Sequence, residues 1–135
     1  MRLLTFQAKR FRWRPYTKTL PDAPEQHDEK EVTETVVVFL EAERNDQGNA
    51  SVMRQTIKHI KWLANKKQFR RIVLHSFTHL GGDTAPPEFA DIFLRELGER
   101  LKNSGYEVAQ TPFGYFCEWG ISVYGDSLAK VFKEF

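Results

Sequence analysis

His75 and His79, four positions apart, are the first pair in this sequence whose spacing suggests chemistry. An HxxxH pair holds zinc when both imidazoles project from one face of a helix. Here the pair straddles the end of Ile72-Val73-Leu74, an apolar run that reads as a strand. Extended backbone rises ~3.3 Å per residue, so the two rings would stand ~13 Å apart. The reading is therefore no metal and no cofactor, with a packed or hydrogen-bonded His75 and a loop His79 free to act elsewhere. Cys117 is the only cysteine. With a histidine beside it, it would be a nucleophile pair; alone, it is a small buried apolar residue. Gly81-Gly82 precedes Pro86-Pro87. That loop either turns backbone N–H groups toward a phosphate or carboxylate or serves only its own conformation. Its spacing matches neither nucleotide-binding glycine pattern, so it does not support nucleotide hydrolysis.

The first 18 residues carry six cations and no acid, with Phe6, Phe11, Trp13 and Tyr16 among them. Arg10, Arg12 and Arg14 alternate, so in a strand they share one face. They would then track an RNA backbone beside rings that stack bases, or protect an edge strand with charge.

The elements that must position these residues follow from periodicity. Met1–Ala8 and Arg10–Tyr16 read as two strands of a hairpin turning near Lys9, the second at an edge because of Pro15. Residues 18–30 are polar, with Pro21 and Pro24, and read as a surface loop. Glu31–Glu43 holds Val36-Val37-Val38-Phe39-Leu40, a strand buried on both faces. Asn49 or Ser51 caps a helix to about Lys66, with Met53, Ile57, Ile60 and Ala64 as its apolar stripe. Arg70–Phe77 is a strand, and Pro87 to about Asn103 a second amphipathic helix. Tyr106–Gln110 and Tyr115–Tyr124 are strands, and Asp126 caps a short closing helix. The order β-β-β-α-β-α-β-β-α predicts an α/β protein with a mixed sheet and crossover helices.

At 135 residues, 41% hydrophobic and 28% charged, the chain makes one domain with a real core. The net charge of +2 does not by itself announce a nucleic-acid binder. No apolar run approaches the ~20 residues of a membrane span, and nothing resembles a secretory leader. One cysteine excludes an intrachain disulfide and fits a reducing cytosol, so the expected location is cytoplasmic.

Three segments together carry a resemblance. Ser76-Phe77-Thr78-His79-Leu80 closes a strand and opens the glycine loop; Thr111-Pro112-Phe113-Gly114-Tyr115-Phe116 follows about thirty residues later; Val36–Glu43 reads VVVFLEAE upstream. The combination resembles the archaeal-type N-terminal editing domain of threonyl-tRNA synthetase, a relative of the D-aminoacyl-tRNA deacylases, over nearly the whole chain. The resemblance implies a deacylase-like fold, a homodimer, and hydrolysis of mischarged seryl-tRNA(Thr) with the tRNA 3′ end in a pocket and the ribose 2′-OH helping the water. It places catalysis at His79 and substrate contacts at Ala42, Glu43, Thr78, Phe113, Gly114, Tyr115, Phe116 and Cys117. The family has a lysine after the aromatic pair of the turn, where this chain has Cys117, and a glutamate on the C-terminal helix, where this chain has Lys130. That pattern fits one ammonium exchanged between two positions, with Lys130 catalytic; it equally fits an altered substrate or a lost activity. With no charging domain among these residues, the expected role is a trans-acting editor beside a synthetase lacking its own editing domain. The alternative is a non-catalytic module that binds a tRNA 3′ end or a synthetase.

Overall fold

A computed structural model describes all of residues 1–135. Its centre is one six-stranded mixed sheet: β1 Arg2–Lys18, β2 Lys30–Glu41, β3 Arg71–Ser76, β4 Glu107–Gln110, β5 Tyr115–Val123 and β6 Lys130–Glu134. The order across the sheet is β4-β3-β2-β1-β5, with β6 also on β1. β2, β3 and β4 run parallel, joined by the crossover helices α1 Ala50–Lys66 and α2 Pro87–Asn103. Neither helix is long and apolar enough to cross a membrane.

Both helices start as the sequence predicts. Asn49 accepts a hydrogen bond from Ser51 N at 3.1 Å, and Pro86 precedes α2 with Pro87 in its first turn. Their apolar stripes close one face of the sheet, where Leu3, Val36, Val38 and Leu40 meet Ile60, Leu63, Leu94 and Leu97. The opposite face holds a smaller core of Phe11, Trp13, Val37, Phe39 and Val73, with Ile121 of β5 packed against it.

Two expectations are corrected. The first 18 residues form no hairpin; they are a single 17-residue strand. The break in alternation at Lys9 is a bulge: the β1–β5 register shifts between Ala8 and Arg10, and Glu34 of β2 takes φ 50° near the same point. The extra residue turns the buried odd-numbered positions from one face of the sheet to the other. Leu3 belongs to the helix-side core, whereas Phe11 and Trp13 join the opposite one. Pro15 is tolerated because β2 ends opposite Trp13, leaving one side of β1 without a pairing strand there.

The closing helix is also replaced. A short turn at Ser127–Ala129 leads into β6, which pairs Lys130 with Phe6 and Glu134 with Arg2. β5 covers β1 only from Ala8 onward, so residues 2–6 offer an open edge, and the C-terminal segment completes it. The observed order is therefore β-β-α-β-α-β-β-β.

Candidate functional site

Crevices in parallel sheets form beyond the carboxyl ends of the strands. Here β3 stops at Ser76 and β4 at Gln110, and the segments that follow enclose a cleft of about 480 Å³. One wall is the loop after β3 with the start of α2 (Thr78, His79, Thr84, Ala85, Pro87, Ala90). The other is the turn from Thr111 to Cys117, with Thr19 and Leu20 from the loop after β1. His75, Phe77 and Trp119 complete the lining. Behind them stands Phe39, whose ring centroid lies 4.8 Å from His75, 5.1 Å from Phe77 and 5.2 Å from Trp119.

Most of the residues expected at a site meet here. His79 is exposed at the cleft, its ring edge-on to Phe77 at 5.4 Å. Thr78, Phe113, Gly114, Tyr115, Phe116 and Cys117 share the lining with it. The aromatic turn is braced from outside: Tyr115 Oη donates to Pro24 O at 2.7 Å and accepts from Gln26 N at 3.1 Å. Gly114 O accepts from Thr19 N and Leu20 N. At Gly114, φ is +83° and a Cβ would fall 3.1 Å from Ala23 Cβ, so only glycine fits.

Cys117 is half-buried, and burial pushes its thiol up to about 11. At neutral pH it is a protonated thiol, which removes the nucleophile reading.

His75, read from sequence as packed or hydrogen-bonded, is both, and it also lines the cleft, which sequence reasoning missed. It is 6% exposed, and burial pushes its imidazole down to about 4, so the ring is neutral at pH 7. Nδ1 lies 2.8 Å from Thr111 Oγ1, while Nε2 has no protein partner. The signal was present: period-two counting along β3 puts His75 on the same face as Val73 and Phe77, opposite Ile72 and Leu74.

Three expected residues are not brought to the cleft. Ala42 and Glu43 are scaffold. Ala42 O accepts from Ala85 N, and Glu43 N–H donates to Asp46 Oδ2. The Glu43 carboxylate holds the Met1 ammonium at 2.7 Å, with Asp46 beside it at 2.8 Å. These pairs hold the Glu43 carboxyl below its ordinary range against the opposing effect of desolvation. Lys130 begins β6, and its Nζ donates to Tyr124 O at 3.1 Å. Its ammonium does not enter the cleft beside Cys117. Glu29 fills the place expected of a phosphate at Arg12: Nη1 lies 3.0 Å from its carboxylate.

The other two arginines of that row are paired as well. Arg10 meets Glu31 at 3.6 Å and Arg14 meets Glu118 at 2.5 Å, so the row is neutralised along β1.

A further missed residue is Glu41, buried at the end of the Val36–Leu40 apolar run of β2. Its carboxylate accepts from Gly82 N at 2.9 Å and Thr84 Oγ1 at 2.6 Å, stapling the loop that carries His79. A Cβ at Gly82 would fall 2.8 Å from Glu43 Oε2, which explains the second glycine of the pair.

Threonine–tRNA ligase of Thermococcus kodakarensis is 30% identical over 135 residues, 97% of this chain and 22% of that protein. The enzyme of Pyrobaculum aerophilum is 31% identical over 136 residues, 100% of this chain and again 22% of the relative. The chain thus spans about a fifth of the curated relatives it matches. Among solved structures, the c-Myc DNA Unwinding Element Binding Protein superposes with a TM-score of 0.70, covering 99% of this chain and 98% of that one at 14% identity. That likeness concerns the fold, the mixed sheet of the D-aminoacyl-tRNA deacylase type. Residues 1–135 match the family described as the archaea-specific editing domain of threonyl-tRNA synthetase. The chain belongs to that aminoacyl-tRNA editing family.

Proposed function

We propose that this protein is a trans-acting aminoacyl-tRNA deacylase that removes a wrong amino acid, serine on tRNA(Thr) first among the candidates. The observation that carries the reading is the convergence of His79 and the Phe113–Phe116 turn on one cleft. The exposed Phe116 and half-buried Phe113 and Tyr115 of the turn receive the terminal adenosine, as stacking platforms receive bases. In the reaction, water adds to the ester carbonyl carbon, the ribose oxygen leaves with a proton, and free amino acid and tRNA result. His79 and the ribose 2′-OH orient that water; no covalent intermediate is needed. Neutral His75 and the protonated Cys117 place no charge at the floor of the cleft.

The working form is a homodimer. The half-buried Leu4 and Phe6 lie with Phe132 on the sheet face without helices, Phe132 being 49% exposed. A synthetase without its own editing domain is the enzyme whose errors the protein would correct, in the cytoplasm where tRNA is charged.

One observation favours a second reading, a non-catalytic tRNA 3′-end or synthetase-binding module: Lys130 does not supply the ammonium missing at Cys117. Deacylation assays with seryl-tRNA(Thr), threonyl-tRNA(Thr) and D-aminoacyl-tRNAs decide between them. Hydrolysis of seryl over threonyl ester supports editing. Binding of all three without hydrolysis supports the module.

A further inference from the structure

The surface charges are unevenly matched. Arg10, Arg12 and Arg14, like Arg44 and Arg71, stand within 4.0 Å of a carboxylate. Lys9, Lys30, Arg70, Lys130 and Lys133 do not, and helix α1 gathers four more such cations on one element. It contains no Asp or Glu, and Arg54, Lys58, Lys61 and Lys66 have no acidic partner. Lys67 just beyond it is paired with Asp126.

Positions 54, 58, 61 and 62 recur at helical spacing, so three of these cations flank Trp62 on one outer face. Trp62 is 43% exposed, and its ring packs 5.9 Å from that of His59 beneath it. His59 in turn lies 6.3 Å from Phe135, over which Lys133 Nζ stands at 5.9 Å, so β6 adds a fifth unpaired cation to this side. From Arg54 to Lys66 the helix covers ~18 Å, enough to follow several successive phosphates. α1 packs on the sheet face opposite His75, Phe77 and Trp119, so this surface is distinct from the cleft.

We infer that the outer face of α1 is an RNA-backbone docking surface, its cations meeting phosphates and Trp62 meeting an unpaired base. Phosphate contacts supply the sequence-independent part of RNA affinity, and a solvent-facing aromatic among them is the stacking element such surfaces use. The inference rests on the reading that the protein handles tRNA, but it assigns the binding to a different surface from the cleft and from the β1 arginines.

The test measures binding of a tRNA(Thr) transcript to the full chain, by fluorescence anisotropy, between about 50 and 200 mM salt. Calorimetry with a non-hydrolysable seryl-adenosine analogue reports on the cleft separately. Lys58→Gln with Lys61→Gln should weaken tRNA binding about tenfold and flatten the salt slope by roughly 1.5, two phosphate contacts' worth. Trp62→Ala should weaken it by about tenfold. Both should bind the analogue as the wild type does, and circular dichroism should show unchanged folding. The triple Ala variant of Arg10, Arg12 and Arg14 should keep most of the salt slope. Wild-type tRNA affinity in both α1 variants would overturn the inference, as would equal displacement by polyglutamate, which would make the patch a general acid-binding surface. Loss of tRNA binding in the α1 variants with no analogue binding in any protein would uphold the α1 surface and sink the cleft reading alone.

Discussion

His75 Nδ1 and Thr111 Oγ1 lie 2.8 Å apart, joining the end of β3 to the turn that carries the aromatic residues of the cleft. The pair is buried, and the ring it orients leaves Nε2 without a protein partner at the cleft. Because the imidazole is neutral, rotation of the Thr111 hydroxyl decides which ring nitrogen carries the hydrogen. The floor can therefore donate to, or accept from, a ligand without a change of charge.

This burial makes stability depend on pH. The imidazole has a folded-state value of about 4 against an ordinary 6.5, so the unfolded chain binds more protons between those limits. His75's contribution is complete above about pH 6.5 and is lost as pH falls from there toward 4, up to about 3 kcal/mol in all. Urea midpoints at pH 7.5, 6 and 5 should fall in that order for the wild type. The slope should flatten in His75→Phe, which keeps the aromatic packing against Phe39. An equal slope in both proteins would show that His75 is not the titrating group.

Thr111→Val removes one partner of a buried hydrogen bond, and about 1–3 kcal/mol of stability should go with it. The same variant should shift the His75 ring-nitrogen resonances while leaving those of exposed His79 in place. No change at His75 would contradict the pairing.

Asp46→Ala should be costlier. Asp46 holds both the Met1 ammonium and Glu43 N–H, and its side chain is almost fully enclosed. Breaking a buried pair from one side costs about 3–5 kcal/mol. The midpoint of denaturation reports the loss; a change below about 1 kcal/mol would mean that Glu43 alone suffices.

Glu41→Ala separates loop order from global stability. Gly82 N–H and the Thr84 hydroxyl lose their shared acceptor, so amide hydrogen exchange across residues 78–85 should accelerate while α1 keeps its protection. Unchanged exchange in the loop would assign its order to the Arg44–Asp83 contacts instead.

The middle of the fold was legible because each element carried its own period. Of the stripe Met53, Ile57, Ile60 and Ala64, Ile57 is half-buried against the core and the other three are buried, and the Val36–Leu40 run is buried throughout. Lys9 misled because a bulge and a turn interrupt alternation alike, and only the pairing with β5 tells them apart. β6 had no signal of its own beyond Val131 and Phe132; the open edge of β1 made it a strand. In the cleft, His79 and the aromatic turn were readable from their motifs. Ala42 and Glu43 were not, since what occupies them are contacts more than forty residues away in sequence, with Ala85 N for Ala42 and the Met1 ammonium for Glu43. Lys130 failed for the same reason as the helix on which it was placed.

The most direct measurement of the central claim is the rate of seryl-tRNA(Thr) hydrolysis by the wild type and by His79→Ala. His79 is exposed and makes no hydrogen bond within the chain, so its removal should leave the denaturation midpoint unchanged. The account predicts hydrolysis by the wild type and a fall of about 100-fold in the variant, the size of a lost water-orienting group. Hydrolysis at the wild-type rate in His79→Ala would contradict it.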